Sequence, residues 1–413
     1  MIKSTGTFGL ALFLSSLVCA LACAGPAEEA AGRTDEQKAA GAASVAALVD
    51  ANRHFALDLL AALRERPGNL FFSPYSISTA LAMTRAGARK DTARQMAQVL
   101  HFAGCKEIDR AFCALLESDR AAGADPGSRL HLANALWGRE GYRFRDEFLA
   151  LQKRYYGAGL RTVDFANACD AARKTINLWV AKQTEQKIEE LLRETDLDRS
   201  TALVLTNAIY FKGSWASRFD AALTRKRPFF IGKEKKVLAP TMSQRGSFAL
   251  AHCDGAQLIE LPYEGERLSM VIVLPDGDST LDDLEKSLTI SKLNRWIDGM
   301  VEETVSVSVP RFKVESRFDL AETLSSMGMT DAFVAAKADF SGMTGRKDLF
   351  ISAVVHQACV EVTEEGTEAA AATAVVMRKG FARFDVNRPF VFFIGNSQTG
   401  SLLFAGRVVD PTL

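Results

Sequence analysis

An α+β fold in one large domain is the architecture this sequence predicts, and three observations carry it. Helix-period and strand-like runs alternate irregularly along the chain, without the strict βαβ repeat of a parallel α/β sheet. No internal repeat and no second linker interrupts them between about Ser44 and Leu413. Hydrophobic residues make up 48% of the 413, with 26 Phe and 4 Trp. That is enough to fill one substantial core, and too much for a disordered chain.

The elements follow in order. Lys3 precedes an apolar, small-residue stretch from Phe8 to Ala22, and both Ala20-Leu21-Ala22 and Ala22-Cys23-Ala24 fit a small-x-small cleavage site. Residues 1–24 therefore read as an export signal, and an extracellular or periplasmic location is expected. Cleavage after Ala22 would leave Cys23 N-terminal, where a bacterial lipoprotein carries its lipid. Ala20 replaces the usual leucine of that site, so Cys23 is a candidate lipid anchor, with a bystander cysteine as the plain alternative. Residues 25–43, rich in Ala, Gly and charge, read as a linker to a domain at 44–413.

Val45 to Arg64 carries apolar residues at helical spacing (Val45, Leu48, Phe55, Leu57, Leu60, Leu63) and stops before Pro67-Gly68. Asn69 to Phe72 is a short strand-like run. Ser73-Pro74 fits a helix start, serine as cap and proline at the first helical position, and Ile77 to Ala86 continues it as a helix apolar enough to be buried on most sides. Buried strands are expected at Leu130–Leu136, Val204–Phe211, Leu268–Leu274, Val305–Val309 and Val391–Gly395, with a turn at Pro275-Asp276-Gly277-Asp278.

Several function classes are excluded or left without support. The 50 basic and 50 acidic residues cancel, so no global field draws the chain to nucleic acid. Beyond the signal, no segment reaches the ~18 uncharged apolar residues of a membrane span. There is no G-x-S-x-G, H-E-x-x-H or P-loop, and Gly157-Ala158-Gly159 lacks a third glycine because Thr162 stands in its place. The histidines (His54, His101, His131, His252, His356) show no ligand spacing. Cys105, Cys113, Cys169, Cys253 and Cys359 form no C-x-x-C pair, and buried thiols are expected. No metal, no cofactor and no catalytic residues are expected. The absence of any N-x-S/T sequon favours a bacterial exported protein.

The segment from Glu361 to Pro389 is the most informative. As a helix, its alanines propagate well, but the β-branched stretch Thr373 to Val376 does not. As a strand, Thr367, Ala369, Ala371, Thr373, Val375 and Met377 share one uncharged, mostly small face, and Glu368 turns to the other. Small side chains are what a late-arriving strand needs to slide into a close-packed sheet. An Ala-rich surface helix or linker remains the alternative on composition alone.

The run E-E-G-T-E-A-A-A-A-T from Glu364 closely resembles the hinge of the inhibitory serpins. Other stretches agree in order: N-L-F-F-S-P-Y-S-I from Asn69, T-N-A-I-Y-F-K-G-S-W from Thr206, V-P-R-F-K-V-E from Val309, N-R-P-F-V-F-F-I from Asn387, and the final G-S-L-L-F-A-G-R-V-V-D-P. The resemblance spans essentially all of residues 44–413. It implies a serpin fold of three β-sheets and eight or nine helices with an exposed reactive-centre loop, and a monomer whose partner is a protease. A target serine protease, trypsin-like or chymotrypsin-like, would cut the loop and form an acyl-enzyme. The freed loop would then insert into the large sheet and trap the protease. The alternatives are a cysteine protease as target, or a non-inhibitory serpin acting as carrier, chaperone or storage protein. The small residues of the hinge favour inhibition.

The resemblance also implies roles for particular residues. Glu364, Glu365, Gly366, Thr367, Glu368, Ala369, Ala370, Ala371, Ala372 and Thr373 are the hinge. Ser73, Ser76, Asn207 and His356 are the shutter, a polar cluster under the sheet centre. Trp215 and Arg311 belong to the breach, where the loop enters, Arg311 pairing with Glu364. Counting seventeen residues from Glu364 lands on Gly380, but glycine fills no specificity pocket. Lys379-Gly380 is therefore favoured as the reactive bond, suiting a trypsin-like enzyme, with Arg378 and Phe381 as alternatives. Cys105 to Arg120 is mixed in charge, so heparin-type activation has no support.

Overall fold

The structure, a computed structural model, describes residues 35–125, 127–157, 159–232, 234–366 and 382–413. Fourteen strands appear among them: β1 Leu70–Phe72, β2 Ser128–Arg139, β3 Leu160–Val163, β4 Leu203–Gly213, β5 Arg225–Phe230, β6 Lys236–Cys253, β7 Ala256–Pro262, β8 Leu268–Pro275, β9 Val301–Pro310, β10 Phe312–Asp319, β11 Ile351–Val362, β12 Ala382–Asp385, β13 Phe390–Asn396 and β14 Leu402–Val408. The five predicted buried strands each lie inside one of these, and the strand-like run Asn69–Phe72 forms β1 from Leu70 onward.

A five-stranded sheet has the order β10-β11-β4-β2-β3, and a nine-stranded sheet the order β1-β14-β13-β8-β7-β6-β9-β12, with β5 added on β6. The expected three sheets thus appear as two hydrogen-bonded ones. The reason is β6, whose 18 residues pair in succession with β5, β9 and β7 and so join two smaller sheets into one ladder. Ten α-helices occur among the described residues, against the eight or nine expected; the shortest is the four-residue Ser341–Thr344.

The first helix is Asp35–Leu63, so residues 35–43 are helical where a linker was expected. Alanine, glutamate, glutamine and lysine there are good helix formers, and the buried face that starts at Leu48 anchors them. The next helix, Pro74–Arg85, is built as its sequence indicates. The Ser73 side chain accepts from the Ser76 amide, proline fills the first turn, and every residue from Pro74 to Thr84 is buried.

Both faces of the five-stranded sheet are covered. Beneath it lies the main core, which includes Phe71, Phe72, Tyr75, Leu205, Ile209 and Phe404. Above it, Ile176 and Val180 of the helix Cys169–Gln183 pack on Ala133, Val204, Ala208 and Val355, forming a separate apolar cluster. From that helix residues 184–201 run as a strap over the sheet. Glu185 faces Arg129 and His131 of β2, and Arg317 of β10 donates to the Leu191 carbonyl at 2.7 Å and pairs with Asp196. The strap therefore spans the sheet from β2 to β10.

Candidate functional site: the seam between β4 and β11

Neighbouring long strands of the five-stranded sheet are antiparallel at β10–β11 and at β2–β4, but β11 and β4 run parallel, as does the short edge strand β3 on β2. Parallel pairing is the less stable kind per residue, so the weakest ladder among these long strands lies at its centre. Pairing of β10 with β11 continues to Val362, whereas pairing of β11 with β4 ends at Cys359 opposite Tyr210. The two strands part at this end, and the chain turns back there.

The turn is Thr363–Gly366. Its backbone closes on itself, Thr363 N donating to Gly366 O at 3.0 Å and Gly366 N to Thr363 O at 3.2 Å. Gly366 has φ +97°, and a β-carbon there would lie 2.2 Å from Gly213 O and 2.4 Å from Trp215 N. Only glycine fits this conformation and this approach together. Trp215, 2% exposed, holds the turn from below: its indole N–H donates to Thr363 O and its amide to Glu365 O, both at 3.0 Å. The indole stacks on Tyr263 with centroids 4.6 Å apart.

Glu364 points inward and is 4% exposed. The Arg311 guanidinium reaches its carboxylate through Nε at 2.8 and 2.7 Å and through a terminal nitrogen at 2.6 Å, and the Thr224 hydroxyl donates to the same group. Burial pushes this carboxyl upward, but the bonds from Arg311 and Thr224 outweigh it and hold the group below the usual glutamate range. The pair expected from sequence is therefore a buried anion held by a half-exposed arginine, and not a fully solvated surface pair.

Lower in the seam lies the polar cluster. His356 and Asn207 are register partners across β11–β4, and Asn134 is the register partner of Asn207 on β2. All three reach the helix Pro74–Arg85 or its cap, His356 at Ser73 and the two asparagines at Ser76. The Ser73 amide donates to His356 Nε2 at 3.1 Å, so Nδ1 carries the proton and donates to Asn207 Oδ1. Asn207 Nδ2 donates to Ser76 Oγ at 2.7 Å and to Asn134 Oδ1, Ser76 Oγ donates to Asn134 Oδ1 at 2.8 Å, and Ser73 Oγ to Leu403 O at 2.6 Å. Burial pushes the His356 pKa down to about 3, so the ring is neutral, and a second proton would face the Ser73 N–H. Both ring nitrogens are committed, so the cluster is a structural lock.

The sequence-assigned Ser73, Ser76, Asn207 and His356 thus come together, as do Trp215, Arg311, Glu364, Glu365 and Gly366. Thr367, Glu368, Ala369 to Ala372, Thr373, Arg378, Lys379, Gly380, Phe381 and Cys23 lie outside the described residues, as does the segment 1–24. Sequence reasoning missed Asn134 and Thr224; each is a polar residue in no motif, brought in by strand register and chain reversal. Among the described residues Cys359 alone of the five free cysteines is buried and the other four are partly exposed, so the expectation of buried thiols holds only for Cys359. No helix there is long and apolar enough to cross a membrane.

Residues 50–411 match the family model described as Serpin (serine protease inhibitor). The chain is 44% identical over 378 residues to the human leukocyte elastase inhibitor, covering 88% of this chain and 99% of that protein. It is also 44% identical over 376 residues to Serpin B6 of Macaca fascicularis, with the same coverage. The solved structure of uncleaved ovalbumin superposes with a TM-score of 0.80 at 32% identity, covering 88% of this chain and all of that one. With the match running through the turn, the seam and the last strand alike, the chain belongs to the serpin family of serine protease inhibitors and is not an enzyme.

Proposed function

We propose that this serpin inhibits a serine protease as a suicide substrate, by inserting the cut segment that follows Gly366 between β11 and β4. The observation that carries the reading is the parallel seam, already parted at the end where the chain reverses. The turn at 363–366 is a chain reversal, so a strand inserted beyond it would run antiparallel to both neighbours. One parallel ladder would be exchanged for two antiparallel ones. At ~3.3 Å per residue, about 14 inserted residues carry an acyl-linked protease on the order of 45 Å. Dragged to the far end, the protease loses the geometry of its oxyanion hole, and deacylation stalls.

The chain's own residues control the order of events. Glu364, Arg311 and Thr224 hold the turn closed at the top of the seam. His356–Asn207 is the side-chain bond that insertion must break, leaving His356 with Ser73 on one side and Asn207 with Asn134 and Ser76 on the other. Thr367, Glu368, Ala369, Ala370, Ala371, Ala372 and Thr373 supply small or polar side chains suited to entry. Lys379-Gly380 is the bond we assign to attack, suiting a protease with an acidic specificity pocket. Residues 1–24 act as an export signal in this reading, and Cys23 as a candidate lipid anchor; N-terminal sequencing and intact mass of the exported protein test both.

Incubation with trypsin tests the function. The expected products are an SDS-stable complex and a released C-terminal peptide beginning at Gly380. Cleavage there with full return of active trypsin and no complex would overturn the inhibitory reading in favour of a carrier or storage serpin.

A further inference from the structure

Three of the seven exposed large hydrophobic side chains among the described residues fall on one short stretch: Leu223 at 43%, Phe230 at 46% and Leu238 at 60% exposure. Leu223 leads into β5, and β5 and the start of β6 form a hairpin in which Pro228 opposes Leu238 and Phe230 opposes Lys236. Pro228 and Phe230 share a face, and the intervening Phe229 is buried. Leu238 joins that outer face through its pairing with Pro228.

The same stretch is strongly charged. Residues 224–238 hold Arg225, Lys226, Arg227, Lys233, Lys235 and Lys236 against the single acid Glu234, in a chain whose total charge is zero. Lys226, Lys235 and Lys236 are exposed. Because β5 pairs, among the described residues, only with β6, it is an edge strand there, and lysine, arginine and proline on an edge discourage strand-to-strand aggregation. That explains the charges but not Phe230 and Leu238, which such an edge would avoid.

Position supplies the rest. Immediately before β5, the Thr224 hydroxyl donates to Glu364, where the reactive segment departs. At the end of β5, the Phe230 amide donates to Asn387 O at 2.8 Å, where that segment has returned to the fold. The hairpin therefore flanks both ends of the segment that a protease would attack.

We propose that the outer face of this hairpin, Pro228, Phe230 and Leu238 with Lys226, Lys235 and Lys236 around them, is a second docking surface for the target protease, and that it selects proteases with an acidic, partly apolar patch beside the active site. This rests on the reading that residues 367–381 are attacked by a protease. The surface acts on encounter, before acylation or insertion. It therefore governs how fast the loop is cut, whether or not the enzyme is then trapped.

The test uses the full protein with two trypsins of the same cleavage specificity, one anionic and one cationic, and reads the second-order rate of loop cleavage at low and high salt. The anionic enzyme should be faster by about tenfold at low salt, the advantage shrinking as salt rises. The triple variant K226E/K235E/K236E should abolish or reverse it. F230S/L238S should slow cleavage by the enzyme carrying the complementary patch about fivefold or more, with little salt dependence. Equal rates for the two trypsins, unchanged in both variants, would overturn the proposal. So would a change confined to self-association, which would assign the face to a second copy of the chain. Loss of trapping with these rate differences intact would count against the inhibitory reading alone.

Discussion

Replacing His356 by alanine is the perturbation whose size can be worked most fully from the structure. The ring is wholly buried, and its removal leaves the Ser73 N–H and Asn207 Oδ1 without partners. Each orphaned group costs about 1–3 kcal/mol, and the vacated ring volume adds a cavity term. The two groups together cost about 2–6 kcal/mol at pH 7 before the cavity is counted. The pH dependence carries more information. With a folded pKa of about 3 against 6.5 when unfolded, neutral His356 favours the fold fully above pH 6.5, and that contribution fades as pH falls from 6.5 toward 3. Between pH 7 and pH 5 the fade amounts to about 2 kcal/mol. Asp119 works in the opposite sense. Burial raises its pKa to about 6 despite the hydrogen bond from Asn396, so the fold takes up a proton below pH 6 and gains about 1.4 kcal/mol over the same interval. Between pH 7 and 5 the contributions of these two groups nearly cancel in the wild-type uncleaved protein. Asp119→Asn should expose the full loss of about 2 kcal/mol, and the penalty for His356→Ala should shrink by the same amount on acidification. Urea unfolding of the three uncleaved proteins at both pH values measures this. A His356→Ala penalty that is the same at pH 5 and pH 7 would refute the neutral-lock assignment.

Arg311→Ala should leave the buried Glu364 carboxylate with Thr224 as its side-chain donor, costing about 1–3 kcal/mol at pH 7. Because the Glu364 pKa lies below its ordinary 4.5 in the fold, the stabilisation is present above pH 4.5 and lost as pH falls through the folded value, so urea midpoints should converge at acid pH. Gly366→Ala should destabilise the uncleaved form, since its β-carbon would collide with the 213–215 backbone; a lower thermal midpoint checks this, and an unchanged one would mean that the turn is not held there. Thr367→Glu should turn inhibitor into substrate. The charge resists burial in the seam, so trypsin should cut at an unchanged rate and escape, and undiminished complex on a gel would contradict the hinge assignment.

Local chemistry made much of this legible in the sequence. Ser73 and Pro74 announce their helix because capping and a fixed φ act within one turn, and the apolar runs mark the strands because their burial is nearly continuous. The N-terminal helix is legible only from Val45, because Asp35 to Ala43 has no apolar face and helix propensity alone does not separate a helix from a linker. Asn134 could not be found, because an asparagine in a strand gains meaning only from the register that sets it opposite Asn207. Thr224 is likewise 140 residues from the carboxylate it contacts. The union of two sheets into one depends on the length of β6 and its three successive partners, which no run of side chains reveals. Glu364 was legible through family resemblance, but its burial was not.

In the proposed mechanism the seam between β4 and β11 is held in a metastable state that a cut loop relieves. Thermal unfolding of the protein before and after one limited cut at Lys379 tests it most directly. Insertion predicts a sharply higher midpoint for the cut chain, whose loop has become a strand between β11 and β4. Equal midpoints would contradict it, because the cut segment would then have no place in the sheet.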